Sequence, residues 1–378
     1  MPHTITLPMI PAGHLAHDSF GGDATVFVTE FLTTEDGNDF VSRAEGVSTV
    51  FGPALHAHRV PPSQVDHFLA VVRPDREATV YCNELQFHCV AKRRVVRDVG
   101  ARAGDPISAN DIADLDQVVP VHADGTPVVI PPDCGLALIF SHRWRKGLYY
   151  DYSVLRHDSG PRATDLPRLF AHLFNRLIFQ EMYALSEGQW RRLLAWGWFP
   201  FIGLSHEDRT RLLHFAGSDS EPQGLLAGVC QRFAQHLGDR LACWRRNDLL
   251  NAHMEFLVRA HERFEAGDYL SSVSLLLPRI EGVLRTLFMD ENPGQPAGQG
   301  TMVSNLVENQ YAHSLLLPNR FEEYLRRVYF RAFDQAAGDL GLSRNSHGHG
   351  VSRAEEYDFV RATVGFLTLD QIYYYLTD

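Results

Sequence analysis

The spacing of apolar residues changes once along this chain, near residue 165. Before that point they gather in runs rich in Val, Ile, Phe and Tyr, at 26–31, 79–94 and 136–155, separated by Gly, Pro and Asp clusters. Such runs predict strands, because β-branched and aromatic side chains fit a pleated, half-buried surface. The sharpest hairpin signal is the run 136–141, a basic turn over 143–147 and the run 148–155, where Tyr150 and Tyr152 alternate with Tyr149 and Asp151. One short helix is expected near 63–72. From Asp165 onward, Leu166, Leu169, Phe170, Leu173, Leu177 and Ile178 recur at three and four residues, the mark of an amphipathic helix. Helical spacing then runs to the C-terminus, broken at 196–201, 217–222 and the Gly/Pro-rich 292–300.

This pattern predicts an α+β chain in three parts. Residues 1–164 form an antiparallel β-rich domain, 165–246 a helical connector, and 247–378 an all-α bundle of four or five helices. In the bundle, Tyr269, Val273, Leu276, Ile280, Val283 and Leu287 follow one helix face, and Pro278 should kink that helix or sit in its first turn. A further helix is expected over about 319–337 and the last over about 353–376.

Composition removes several classes of function. The chain has 378 residues, 45% of them hydrophobic, which excludes a disordered protein, and no apolar run approaches the ~20 residues of a membrane span. The N-terminus has neither a basic region nor a sustained apolar one, so a cytoplasmic location and no membrane partner are expected. Five scattered cysteines without a C-x-x-C predict reduced thiols. A net charge of -11 disfavours a broad grip on nucleic acid and requires any such role to use a local basic site. All but two of the 35 cations are arginine, so arginine-containing motifs arise here readily by chance.

The segment richest in candidate chemistry is Arg344-Asn345-Ser346-His347-Gly348-His349-Gly350. Its R-x4-H spacing occurs a second time, at Arg209 and His214, in a strongly helical stretch where it reads as decoration. The first occurrence lies between two amphipathic helices and the final one. There it resembles the HEPN family, helical-bundle proteins whose ribonuclease members carry an R-N-x-x-x-H motif. The resemblance covers about the last 130 residues and includes the run from Pro278 to Arg285, which is similar to the earlier helix of bacterial HEPN proteins. It implies a metal-independent endoribonuclease acting as a symmetric homodimer on RNA, with Arg344, Asn345 and His349 at the motif positions. It also implies a bacterial antiviral or toxin-type effector, with a protein or ligand trigger acting on the β-rich domain. A non-catalytic HEPN-like binding module, whose β domain recognises a partner, is the alternative.

Elementary chemistry points the same way. Metal-free RNA cleavage needs a base for the ribose 2′-hydroxyl, which suits His349, and a permanent charge for the five-coordinate phosphate, which suits Arg344. Asn345 would orient the arginine or the substrate, and the extra His347 offers a second proton carrier. Glu281 and Arg285, four apart on the long helix, have ion-pair spacing, and Glu281 is a candidate brace for Arg344. No metal or cofactor is expected: Cys82, His88 and Cys89 lack a fourth ligand, and no phosphate loop, dinucleotide fingerprint or nucleophile elbow occurs. Two aromatic features stand beside this, a cluster at 190–201 read chiefly as packing and the basic turn Arg143-Trp144-Arg145-Lys146. Residues 246–378 hold 12 Arg, no Lys and 18 acidic residues, so a lone bundle is a poor RNA surface and a two-fold axis at the motif is expected.

Overall fold

In a computed structural model, described for residues 2–9, 14–17, 23–26, 29–94, 102–156, 160–218, 222–308, 310–333 and 341–377, the chain is α+β. An N-terminal antiparallel sheet region is followed by a mostly helical C-terminal region. The chain forms two compact units, one of residues 1–90 and 115–180, the other of residues 91–114 and 181–378.

The first unit is built on a six-stranded sheet in the order His3–Thr6, Glu77–Cys82, Phe68–Val72, Gly135–His142, Arg145–Asp151, Thr29–Thr33, antiparallel throughout. Register pairs Phe68 with Ile139 and Leu148 with both Ile139 and Leu32. One face carries Ala70, Val80, Ile139, Leu148 and Tyr150 against Phe51, Ala54 and Leu55 from the helices Asn38–Val50 and Gly52–His58 and the turn joining them. The other face presents Phe140, whose ring stacks at 4.4 Å on Phe174 of the helix Leu166–Ile178. Both faces are covered, so the central strands are continuously apolar rather than alternating.

That double burial explains one departure from the sequence-based expectation. Phe68–Val72 is a strand, preceded only by a single 3-10 turn at Pro62–Gln64, where a helix was expected over 63–72. A fully buried run of this length carries no period that separates helix from strand. The expected run 79–94 is two strands, Glu77–Cys82 and Gln86–Arg93, because Asn83 turns the chain with φ 54°. Residues 27 and 28 of the expected strand 26–31 lie outside the described residues. The connector expected over 165–246 divides instead: Leu166–Ile178 packs on the sheet, while 181–246 and the segment 91–114 belong to the second unit.

The second unit is helical, and its longest element is Tyr269–Glu291, whose N-cap Asp268 accepts from the Ser271 amide. Pro278 lies inside this helix, not in its first turn. The helix buries Val273, Leu276, Ile280, Val283, Leu284 and Phe288 against neighbours that include the C-terminal helix Phe359–Tyr375. That last helix begins later than expected, since Asp358 caps it and residues 354–356 form a separate 3-10 turn. The helix expected over 319–337 is α-helical only over Pro318–Tyr324 and continues as a π turn, Leu325–Tyr329. Its expected end at Ala337 lies outside the described residues. No helix among the described residues is long and apolar enough to cross a membrane.

Candidate functional site

The segment singled out by the sequence folds as a short helix, Arg344–Gly348, with His349 as its C-cap. Its start is fixed by serines. Ser343 Oγ accepts from the Ser346 amide at 3.1 Å, and Ser346 Oγ accepts from the Ser343 amide at 2.8 Å, a reciprocal capping box. Ser343 Oγ also donates to the Arg331 carbonyl and Ser346 Oγ to the Gly341 carbonyl, so this wholly buried pair anchors the helix below its functional side chains. The S-x-x-S spacing carried that signal in the sequence and was not used.

Arg344 reaches back to the long helix, where its Nε lies 2.7 Å from Glu281 Oε2. The Nε–H does not point at that oxygen, so the contact is a close ion pair without a linear hydrogen bond, and both atoms are buried. The other oxygen of Glu281 accepts from Arg285 Nη2 at 2.8 Å, and Arg285 Nη1 donates to the Ala297 carbonyl. One carboxylate therefore serves two guanidiniums. Gly348 permits this geometry: a Cβ there would stand 2.1 Å from Arg344 Nη1, so the arginine folds over bare backbone. The pocket beside Arg344, lined also by Ser343, Tyr324, Arg361 and Thr368, has a volume of about 40 Å³.

Asn345 contacts neither Arg344 nor open surface with its amide. Its Nδ2 donates to the Phe330 carbonyl at 2.8 Å, and its Oδ1 accepts from Gln299 Nε2 at 2.7 Å, which ties the short helix to the helix Gln299–Glu308 and to the end of the π turn. His347 turns inward, with Nδ1 2.9 Å from the Tyr357 hydroxyl, and burial together with the nearby Arg344 charge holds its pKa below the ordinary value. His349 is exposed, its ring 5.2 Å from that of Phe333. The structure thus gathers Arg344, Glu281 and Arg285 into one charged cluster, keeps His349 on the surface at the end of the same short helix, and puts Asn345 to structural use. Gln299, Ser343, Ser346 and Tyr357 join the site without having been anticipated.

The other sequence candidates fall elsewhere. Arg209, read as decoration, is wholly buried in the helix His206–Ala216, where Leu212, Leu213 and Ala216 share its face, and burial pushes its pKa down to about 10. The aromatic run packs as core: Trp190, Trp198, Phe199 and Phe201 are all buried, and Trp190 Nε1 donates to Glu323 at 2.6 Å. At the basic turn, Trp144 is exposed, but Arg145 is paired with Glu35 and Lys146 donates to the Ser63 carbonyl. Cys82 is buried and Cys89 exposed, and among the described residues no cluster of three or more metal-ligating side chains occurs.

No family model matches this chain, and no curated protein and no solved structure matches it.

Proposed function

We propose that the Arg344 to His349 segment is the active centre of a metal-independent endoribonuclease that works as a homodimer. The observation that carries this reading is the division of labour on one five-residue helix. It holds a guanidinium whose Nη1 and Nη2 have no acceptor among the described residues, at one end, and an exposed imidazole at the other. A permanent cation and a proton acceptor are what phosphodiester transfer by an internal nucleophile needs.

In the proposed step His349 takes the proton from a ribose 2′-hydroxyl, the 2′-oxygen bonds to phosphorus, and the bond from phosphorus to the 5′-oxygen breaks. Arg344 leaves Glu281 to meet the charge that accumulates on the phosphoryl oxygens, and Glu281 keeps Arg285. His349 of the partner subunit returns a proton to the departing 5′-oxygen. A second copy is required because the pocket beside Arg344 is too small for a nucleotide, so the substrate groove is built between two motifs across a two-fold axis. Asn345 is a positioning residue in this scheme, and the resemblance of the motif to R-N-x-x-x-H supports the same assignment.

The test is cleavage of single-stranded RNA by the purified chain in excess chelator. Products ending in 2′,3′-cyclic phosphate are expected, with His349→Ala and Arg344→Ala each at least ~100-fold slower at unchanged melting temperature. Wild-type rates in either variant, or cutting at a 2′-deoxy position, would refute the assignment. Sedimentation should show a dimer whose dissociation removes activity.

A further inference from the structure

A second cavity in the helical unit, with a volume of about 210 Å³, is lined by Arg94, Arg232, Arg240, Asp208, Ser205 and Gly203 among others. It shares no lining residue with the Arg344 cluster. Its three arginines come from three places: the end of the strand Gln86–Arg93, the helix Gln223–Ala234 and the helix Leu237–Trp244. A fourth element, the helix His206–Ala216, directs its N-terminus to the same place, with Ser205 as its cap.

The charges around this cavity do not cancel. Arg232 is taken up by Asp208, whose two oxygens each lie 3.1 Å from its Nε. Arg240 pairs through Nη1 with Asp370 and donates through Nη2 to the Gly203 carbonyl at 2.6 Å. Arg94 donates only to the carbonyls of Asn110 and Gly203, with no carboxylate in ion-pair contact among the described residues. It is 6% exposed, and burial, then the Arg240 charge, pulls its pKa down. One full positive charge is therefore buried without a counter-charge in contact, a costly arrangement unless something completes it. A donor is also left over: Arg240 is 2% exposed, and its buried Nε–H has no acceptor among the described residues. The packing around the pair is close, for a Cβ at Gly203 would lie 2.2 Å from Asp370 Oδ2.

We propose that this cavity binds a phosphoryl group, free or carried on a small molecule. Three forks and a helix N-terminus arriving from different directions suit a tetrahedral oxyanion, which offers oxygens to each, better than a planar carboxylate with two. The volume lies below the ~300–1,000 Å³ of pockets that enclose whole drug-sized ligands, so it takes the phosphoryl end and leaves the remainder outside. The half-exposed Arg232 stands at the mouth, and Asp208 competes with the ligand for it.

The experiment is calorimetric titration of the full chain with inorganic phosphate, with adenosine 5′-monophosphate and with acetate, at constant ionic strength in chloride. Saturable binding of phosphate or of the nucleotide is expected, and the tighter of the two identifies the source of the group. Asp208→Asn removes the competing carboxylate and should tighten binding roughly tenfold, while Arg232→Gln should weaken it roughly tenfold. The opposite signs separate ligand binding from loss of fold, because a damaged protein does not bind more tightly. His349→Ala should bind as the wild type does, since the two sites are independent. Absence of saturable binding by both phosphates, equal affinity for acetate, or identical affinities in Asp208→Asn, Arg232→Gln and the wild type would overturn the proposal.

Discussion

Two arginine–carboxylate pairs in the helical unit do opposite things with the same chemistry. Arg240 and Asp370 are 2% and 1% exposed, with Asp370 also accepting from Trp244 Nε1 at 3.2 Å. Arg344 and Glu281 are 24% and 13% exposed on their side chains, and their contact lacks a linear hydrogen bond. In the first pair desolvation makes each charge depend on the other, so the pair cannot open without leaving an uncompensated charge in the core. In the second, water and Arg285 stand ready to take over, so the arginine can be lent to a phosphate. Burial, not residue type, separates a lock from a tool.

The largest effect that sharpens this contrast should come from Asp370→Ala, which strands Arg240 and should cost about 3–5 kcal/mol of stability. Glu281→Ala should cost about 1 kcal/mol or less, and denaturant unfolding of the two variants side by side checks the difference. Equal losses would break the comparison. A smaller, purely functional effect is expected at Gly348→Ala. The new Cβ meets the far end of a flexible side chain, so stability should change by no more than about 1 kcal/mol. RNA cleavage should nevertheless fall severalfold because Arg344 is turned away from its resting place. An unchanged cleavage rate would show that the resting position of Arg344 is irrelevant.

The smallest effect concerns His347. Its pKa is depressed in the folded chain, by burial and then by Arg344, so the neutral ring is the one the fold prefers. The stability this lends is fully present above the unfolded value near 6.5 and is lost as pH falls through the lower folded value. Urea midpoints between about pH 8 and about pH 5 should therefore decline more steeply for the wild type than for His347→Asn, by less than about 1.4 kcal/mol. Parallel curves would mean that the ring is already well solvated.

Much of this architecture was readable from side-chain spacing. The hairpin over 136–155 and the amphipathic stripe from Leu166 are found where the pattern put them, as Gly135–His142, Arg145–Asp151 and Leu166–Ile178. The helices Asn38–Val50 and Gly52–His58 were not read, because only Phe40, Val47, Ala54 and Leu55 are buried on them, amid glycine and histidine. The proximity of Glu281 to Arg344 could be argued from a carboxylate set between Leu277 and Leu284, but the capping serines and Gln299 could not be weighed without the turn geometry. The buried arginines were overlooked for a different reason: where nearly every cation is arginine, none stands out. Their signal was positional, for Arg240 lies in the stripe Leu237, Leu241 and Trp244, and Arg209 in the stripe Leu212, Leu213 and Ala216. A charge within an apolar stripe has to be met from elsewhere in the fold.

The π turn Leu325–Tyr329 bears on how this chain tolerates changes in its length. A π turn is an α-helix holding one residue more than its hydrogen bonds require. Deleting a residue there would let the segment relax to ordinary helix and would rotate everything after it by about 100°. The Phe330 carbonyl, which now receives Asn345 Nδ2, would be carried away from it. The extra residue is in effect a spacer that keeps the motif in phase, and the helix Pro318–Tyr324 before it can lengthen or shorten by whole turns more safely than by single residues.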